Sequence, residues 1–188
     1  MTVRISAYDV ELRTPQPEEL PALVRLRNRE RRWFGDRSEL PVEEGSTWIA
    51  SRDQEDSLNC IVHAGIVIGT IGWTKVPERA ACYEIGRLIA DYSAARSAGM
   101  DANVIRAKLR VGSWLALDFL FTALNASAIY ARIRPENGLI RNMIHEFGLE
   151  PALWPAPDAP EAPALECWAI DALRWRQLRN KILAHMVI

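Results

Sequence analysis

An α/β fold, with a mixed, mostly antiparallel sheet flanked by helices, is what this 188-residue sequence predicts. Two observations carry the prediction. Strand-like and helix-like segments follow in the order β, α, α, β, β, β, α, β, α, β, α, and the three consecutive strands favour an antiparallel meander. Later strands alternate with helices, which together with the meander sets the sheet apart from a doubly wound parallel one. The length suits one well-buried core, so residues 1–188 are read as a single domain.

Tyr8 to Arg13 (YDVELR) alternates and stops before Thr14-Pro15, which suits a first strand. From Glu18 to Arg32, Leu20, Leu23, Val24 and Leu26 recur at helical spacing with charges between them, marking an amphipathic helix. A second helix is expected over Val42 to Arg52, with Trp48 and Ile49 on its buried side. LNCIVHA (58–64) and IVIGTIGWTKV (66–76) are β-branched runs joined tightly around Gly65, a hairpin pattern. ACYEIGRLIA (81–90) follows the turn PERA as a third run. Asp91 to Asn103 is small and polar, a loop or loosely helical connection.

Val104 to Leu124 is apolar around most of its circumference in its second half, as a buried helix requires. SAIYARIR (127–134) alternates as a strand. Gly138 to Phe147 reads as a helix that Asn137 starts and Gly148 stops. Residues 151–163 (PALWPAPDAPEAP) read as an extended, polyproline-like connection. ALECWAI (164–170) supplies a last strand, and Asp171 caps a terminal helix whose apolar side comprises Leu173, Leu178, Ile182 and Leu183.

Bulk properties narrow the function classes. A net charge of −1 gives no global electrostatic case for nucleic acid or an anionic membrane. Cys60, Cys82 and Cys167 are widely spaced and form no CxxC pair, and His63, His145 and His185 lack metal-ligand spacing, so neither a disulfide framework nor a metal site is expected. There is no signal pattern at the N-terminus and no apolar run long enough to span a bilayer, so a cytoplasmic protein is expected.

The stretch FTALNASAIYARIRPENGLIRNMIHEFGL (121–149) resembles the GNAT superfamily of acyl-CoA-dependent N-acyltransferases, in particular its ribosomal-protein and nucleotide-sugar acetyltransferase branch. IGTIGW (68–73) and YEIGRLI (83–89) look like that family's third and fourth strands, and RLRNRERRWF (25–34) like its acceptor-side first helix. The resemblance covers about residues 8 to 150. It implies a six- to seven-stranded sheet splayed between its fourth and fifth strands, acceptor-side helices over 17–52, a CoA-binding core over 81–149, and a C-terminal strand and helix over 164–186. It also implies acetyl-CoA, or another acyl-CoA, as donor.

The family cradles the CoA pyrophosphate in a glycine-rich loop at a helix N-terminus, where backbone N–H groups meet phosphate. Counting back from Phe121 without gaps puts that loop over Arg106, Lys108, Arg110, Gly112 and Ser113. Most of the glycines are absent, and three cations stand in their place. An alternative placement, Arg96-Ser-Ala-Gly99-Met-Asp101, matches RxxG but sets an aspartate against phosphate. The plain alternative for Arg106, Lys108 and Arg110 is a solvated helix face.

By the same resemblance, backbone groups of Arg87, Leu88 and Ile89 would pair with pantetheine in the splay, with Asn137 and Arg141 reaching the cofactor from the next helix. An amine would attack the thioester directly, and Glu84 is the candidate base; the alternative is a glutamate paired with Arg87 or another cation. Many relatives place a tyrosine where this chain has Ile144, so the general acid stays unassigned. On the acceptor side Asn28, Arg32 and Trp33 are the candidate substrate-binding residues, since cations beside aromatics suit a phosphate or carboxylate carried with a flat ring. The expected acceptor is a small-molecule primary amine, a nucleotide-amino-sugar or antibiotic-like compound. An acyl carrier protein is the alternative donor, and a non-catalytic ligand-binding or interaction module the alternative class; a monomer or homodimer is expected.

Overall fold

The computed structural model describes residues 3–34, 36–77, 79–155 and 165–186. Eight strands form one open sheet: β1 (Arg4–Ala7), β2 (Val10–Arg13), β3 (Asp56–His63), β4 (Ile66–Lys75), β5 (Cys82–Ala90), β6 (Ala128–Ile133), β7 (Glu150–Pro151) and β8 (Glu166–Asp171). Their spatial order is β1-β2-β3-β4-β5-β6-β8-β7. Every neighbouring pair is antiparallel except β5 and β6. The helices are α1 (Leu20–Arg29), α2 (Val42–Ala50), α3 (Tyr92–Ser97), α4 (Ala102–Thr122), α5 (Gly138–Glu146) and α6 (Ala172–Met186).

The mixed, mostly antiparallel sheet agrees with expectation, and its two additional strands have local causes. Tyr8 and Asp9 both take positive φ, 52° and 61°, the twist a two-residue hairpin turn requires, so the expected first strand becomes the hairpin β1–β2. Glu150 and Pro151 add a two-residue edge against Ala169 and Trp168. Residues 156–163 of the proline-rich connection, and residue 164, lie outside the described residues. The β3–β4 hairpin turns as expected at Ala64 and Gly65, with φ of 50° and 77°. Asn137 caps α5 by accepting from Ile140 N, and Asp171 caps α6 by accepting from Arg174 N at 2.7 Å.

Helix α4 crosses one face of the sheet. Its Ile105, Leu109, Leu117 and Leu120 join Leu12, Ile61, Ile71, Trp73, Tyr83 and Ile129 in the main core. Helices α1 and α2 cover the other face through Leu23, Val24 and Ile49 against Leu58, Cys60 and Val62. Two expected apolar positions are exposed instead. Trp48 is 39% exposed, its ring lying beside Arg52 and Arg87 instead of in the core, and Leu173 projects from the first turn of α6, where Trp175 is the core residue. No helix among the described residues is long and apolar enough to cross a membrane.

Candidate functional site

The site begins where the sheet opens. β5 and β6 pair in parallel only at Cys82 with Ala128, Tyr83 with Ile129 and Glu84 with Tyr130. Beyond that point β5 runs on to Ala90 and β6 to Ile133 as separating strands, leaving a V-shaped gap. In the arm of β5, Arg87 takes φ 54°, and the β4–β5 register shifts between Thr70 and Gly72. A left-handed residue inside a strand is bulge geometry, and here it turns the backbone without breaking the ladder on the β4 side. Thr70 Oγ1 holds the bulge by donating to Arg87 O at 3.0 Å.

Gly72 makes this bulge possible. A Cβ there would stand 2.6 Å from Ser57 O and 3.1 Å from Arg87 Cδ, so the absent side chain clears the path of the arginine. The Arg87 guanidinium then reaches Thr74 Oγ1 at 2.7 Å and Asp56 Oδ1 at 3.2 Å. Arg52 ion-pairs with the same Asp56 and stacks on the Trp48 ring at 3.7 Å. Burial, then repulsion from Arg87, lowers the Arg52 pKa to about 10. Burial likewise pulls Arg87 down.

On β6, Ile129, Ala131 and Ile133 face the main core, so Tyr130, Arg132 and Arg134 alternate onto the α1/α2 face. Arg132 donates to both Glu84 oxygens, at 3.0 Å and 3.1 Å, and its guanidinium lies 4.0 Å from the Trp154 ring. Tyr130 meets the same ring edge-on at 5.8 Å, and burial, then Cys82 and Cys167, raises its phenol above the ordinary value. Arg134 is 91% buried, being 9% exposed, and donates to Phe34 O at 2.9 Å. The V and this face together bring a carboxylate, a phenol and several guanidiniums to one side of the sheet.

The sequence-predicted residues divide. Glu84, Arg87, Leu88 and Ile89 lie on β5 at and beyond the branch of the V, and Asn137 starts α5 beyond the end of β6. Glu84 pairs with Arg132, the ion-pair alternative with a different cation. Arg141 is held by Glu166 at 2.8 Å and 2.9 Å, which ties α5 to β8. Asn28 is buried at the wall of a cavity it shares with Arg25, Arg31 and Glu39, and its amide clasps the α1–α2 connection through Leu40 O at 2.8 Å and Leu40 N at 3.0 Å. Arg32 stacks on Trp33 at 4.9 Å, and both are exposed.

The stretch 106–113 is helical where a loop was expected. Helix α4 begins at Ala102, so these residues are helical and their amides are already used within the helix. A Cβ on Gly112 would stand 2.6 Å from Ile61 Cγ2; the glycine packs the helix onto the sheet. Ser113 is buried and donates to Leu109 O at 2.9 Å. Lys108 reaches Tyr8 O at 3.1 Å, and Arg110 pairs with Glu146 at 2.9 Å, so the three cations do not converge. Arg106 is exposed.

The residues 96–101 instead join α3 to the start of α4. Gly99, with φ 77°, ends α3 by donating to Arg96 O at 2.9 Å, and Met100 N donates to Ala95 O at 3.0 Å. Asp101 then caps α4, accepting from Asn103 N at 2.7 Å. The helix end that would receive a pyrophosphate carries its own carboxylate. Ile144, where a proton donor is usual, is buried in the core.

Sequence reasoning missed Arg52, Asp56, Tyr130, Arg132, Arg134 and Trp154. A signal existed for three of them. In SAIYARIR every second residue is apolar, which makes Tyr130, Arg132 and Arg134 one polar face of a strand.

Residues 9–150 match the family described as "Acetyltransferase (GNAT) domain". Among solved structures, a GCN5-related N-acetyltransferase from Brucella melitensis aligns with a TM-score of 0.71 at 15% identity, covering 98% of this chain and 85% of that one. Apo FdhC, a nucleotide-linked sugar GNAT, aligns at 0.73 and 12% identity over 100% of both chains. Mycobacterium smegmatis RimJ in complex with CoA-disulfide aligns at 0.68 and 17%, covering 98% and 93%. No curated protein matches the chain by sequence. Likeness at these identities is a likeness of fold.

Proposed function

The chain belongs to the GNAT acetyltransferase family, and we propose that it transfers an acetyl group from acetyl-CoA to a primary amine of a small molecule. The observation that carries the reading is the V between β5 and β6, with the Arg87 bulge in one arm and a carboxylate, Glu84, at its branch. In this reading pantetheine lies along the unmatched edge of β5 near Arg87, Leu88 and Ile89, with Asn137 beyond the opposite arm. The amine approaches from the α1/α2 face. Its nitrogen attacks the thioester carbonyl, the C–S bond breaks, and the ammonium proton passes to Glu84 directly or through water. Arg132 fixes the Glu84 carboxylate for that step.

The thiolate that leaves needs a proton, and Ile144 has none. Tyr130 is the candidate donor, because it stands opposite Glu84 in the strand register and burial keeps its phenol protonated at neutral pH. Of the proposed phosphate-binding cations, only Arg106, near the start of α4, retains that role. A nucleotide-linked amino sugar is the preferred acceptor class, supported by the fold shared with a nucleotide-linked sugar GNAT and by the cationic face beside Trp154 and Trp33.

One observation favours a second donor. Asp101 at the α4 N-terminus opposes a pyrophosphate, which suits a differently placed acyl-CoA or an acyl carrier protein. Release of free thiol from acetyl-CoA, measured across a panel of amino sugars and other primary amines, tests the reading. Amine-dependent release that falls at least about tenfold in Glu84→Gln is expected. Absence of release with every amine, while CoA still binds, would leave a non-catalytic module.

A further inference from the structure

Two acids on the α1/α2 side of the sheet are already committed. Asp56 holds Arg52 and Arg87, and Glu84 holds Arg132. Arg134 stands apart from this pattern. It is 9% exposed, and among the described residues its one hydrogen-bond acceptor is the neutral carbonyl of Phe34 and its buried Nε has no partner. A guanidinium carries a full charge and a fork of five N–H donors, and here burial leaves most of that fork unused. Such a group calls for an anion.

Its place in the fold says which anion. Arg134 follows β6 on the arm that has left β5, beyond the last paired position at Tyr130, and it faces the side on which the acceptor is read to approach. Phe34 O fixes one end of the guanidinium there. We infer that Arg134 is the seat for an oxyanion, a carboxylate or phosphate carried by the amine acceptor, held at the open edge of β6 beside the Arg132–Glu84 pair. This rests on the transferase reading for the identity of the acceptor, but the anion site itself does not. The arrangement would hold the acid of the substrate on the arm of the V while the amine reaches toward its branch.

The test uses the full chain as wild type, Arg134→Lys and Arg134→Gln, with folding checked by thermal melting. With CoA at saturation, inorganic phosphate and acetate are titrated calorimetrically. Acetyl transfer is then compared for charge-matched amines: 2-aminoethyl phosphate against ethanolamine, and β-alanine against its amide. Wild type is expected to bind at least one anion saturably, and Arg134→Gln to bind it at least about tenfold more weakly, the scale of one lost charged hydrogen bond. The same variant is expected to lose the preference for the anionic amine of that pair without a change in CoA affinity. The phosphate and carboxylate arms identify the anion.

No saturable anion binding in wild type, or equal binding in Arg134→Gln, overturns the inference; equal melting losses in both variants with anion binding intact reduce Arg134 to a clamp on Phe34. If no amine is acetylated, the transferase reading fails while the titration still decides the anion site. Should Arg134→Gln not fold, Arg134→Lys carries the test: weakened anion binding supports the fork geometry and unchanged binding contradicts it.

Discussion

Gly112 separates a glycine that serves packing from one that serves a ligand. In the family pattern it falls in a phosphate loop; in the structure its hydrogen faces Ile61 from the middle of α4. Alanine is the better helix former by about 1 kcal/mol, but the added methyl would overpack the core by about 1–3 kcal/mol. Gly112→Ala is therefore expected to lower the denaturant midpoint and leave acetyl-CoA affinity unchanged, by calorimetry. Tyr130 poses the complementary question on β6. Tyr130→Phe removes one hydroxyl at a partly buried position; if the phenol protonates the thiolate, kcat falls while the KM for acetyl-CoA holds. Equal kcat values for variant and wild type would remove Tyr130 from the chemistry.

At the scale of elements, the junction of α3 and α4 holds the least familiar chemistry. Asp101 supplies the N-cap of α4, and its loss costs about 0.5–2 kcal/mol of stability. The same carboxylate repels any phosphate at that helix end. Asp101→Asn, which retains a capping oxygen without the charge, is expected to tighten acetyl-CoA binding in a calorimetric titration if the pyrophosphate docks there; unchanged affinity would place the phosphates elsewhere. A second link joins β2 to the 3-10 turn before α1, where Arg13 grips Glu19 at 2.6 Å and 2.8 Å. The Arg13 hydrogen bond, foremost, lowers the Glu19 pKa from the ordinary 4.5. A lowered carboxylate contributes stability above its unfolded pKa and loses it as pH falls through the folded one. Glu19→Gln is thus expected to narrow the loss of stability below pH 4.5, followed by denaturant titration across that range.

Most elements were legible because their patterns are local. The β3–β4 hairpin announces itself in two β-branched runs around Gly65, and α5 in the spacing of Asn137 and Gly148. β1 was not, since RISA is too short to show a period and its turn uses Tyr8 and Asp9, neither a glycine. The site was half legible. Glu84 and Asn137 could be carried over by family spacing, whereas the partners Arg132, Asp56 and Trp154 come from elements far apart in sequence and meet only when the sheet forms. The misplacement at 106–113 has a related cause: a gap-free count cannot register the short helix α3, which lengthens the path from β5 to α4.

Across the whole molecule a net charge of −1 conceals an uneven distribution. Arg87, Arg132 and Arg134 lie on the α1/α2 side of β5 and β6, and Arg52 joins them through Asp56, which it shares with Arg87. Polyanion binding would need a long basic stripe, and this cluster is compact. At this scale the V itself decides the function proposed: the gap between β5 and β6 would receive the donor from which an amine is acetylated. Calorimetric titration of the full chain with acetyl-CoA tests it most directly. One acetyl-CoA bound saturably per chain is predicted, and absence of saturable binding up to millimolar acetyl-CoA would contradict the account.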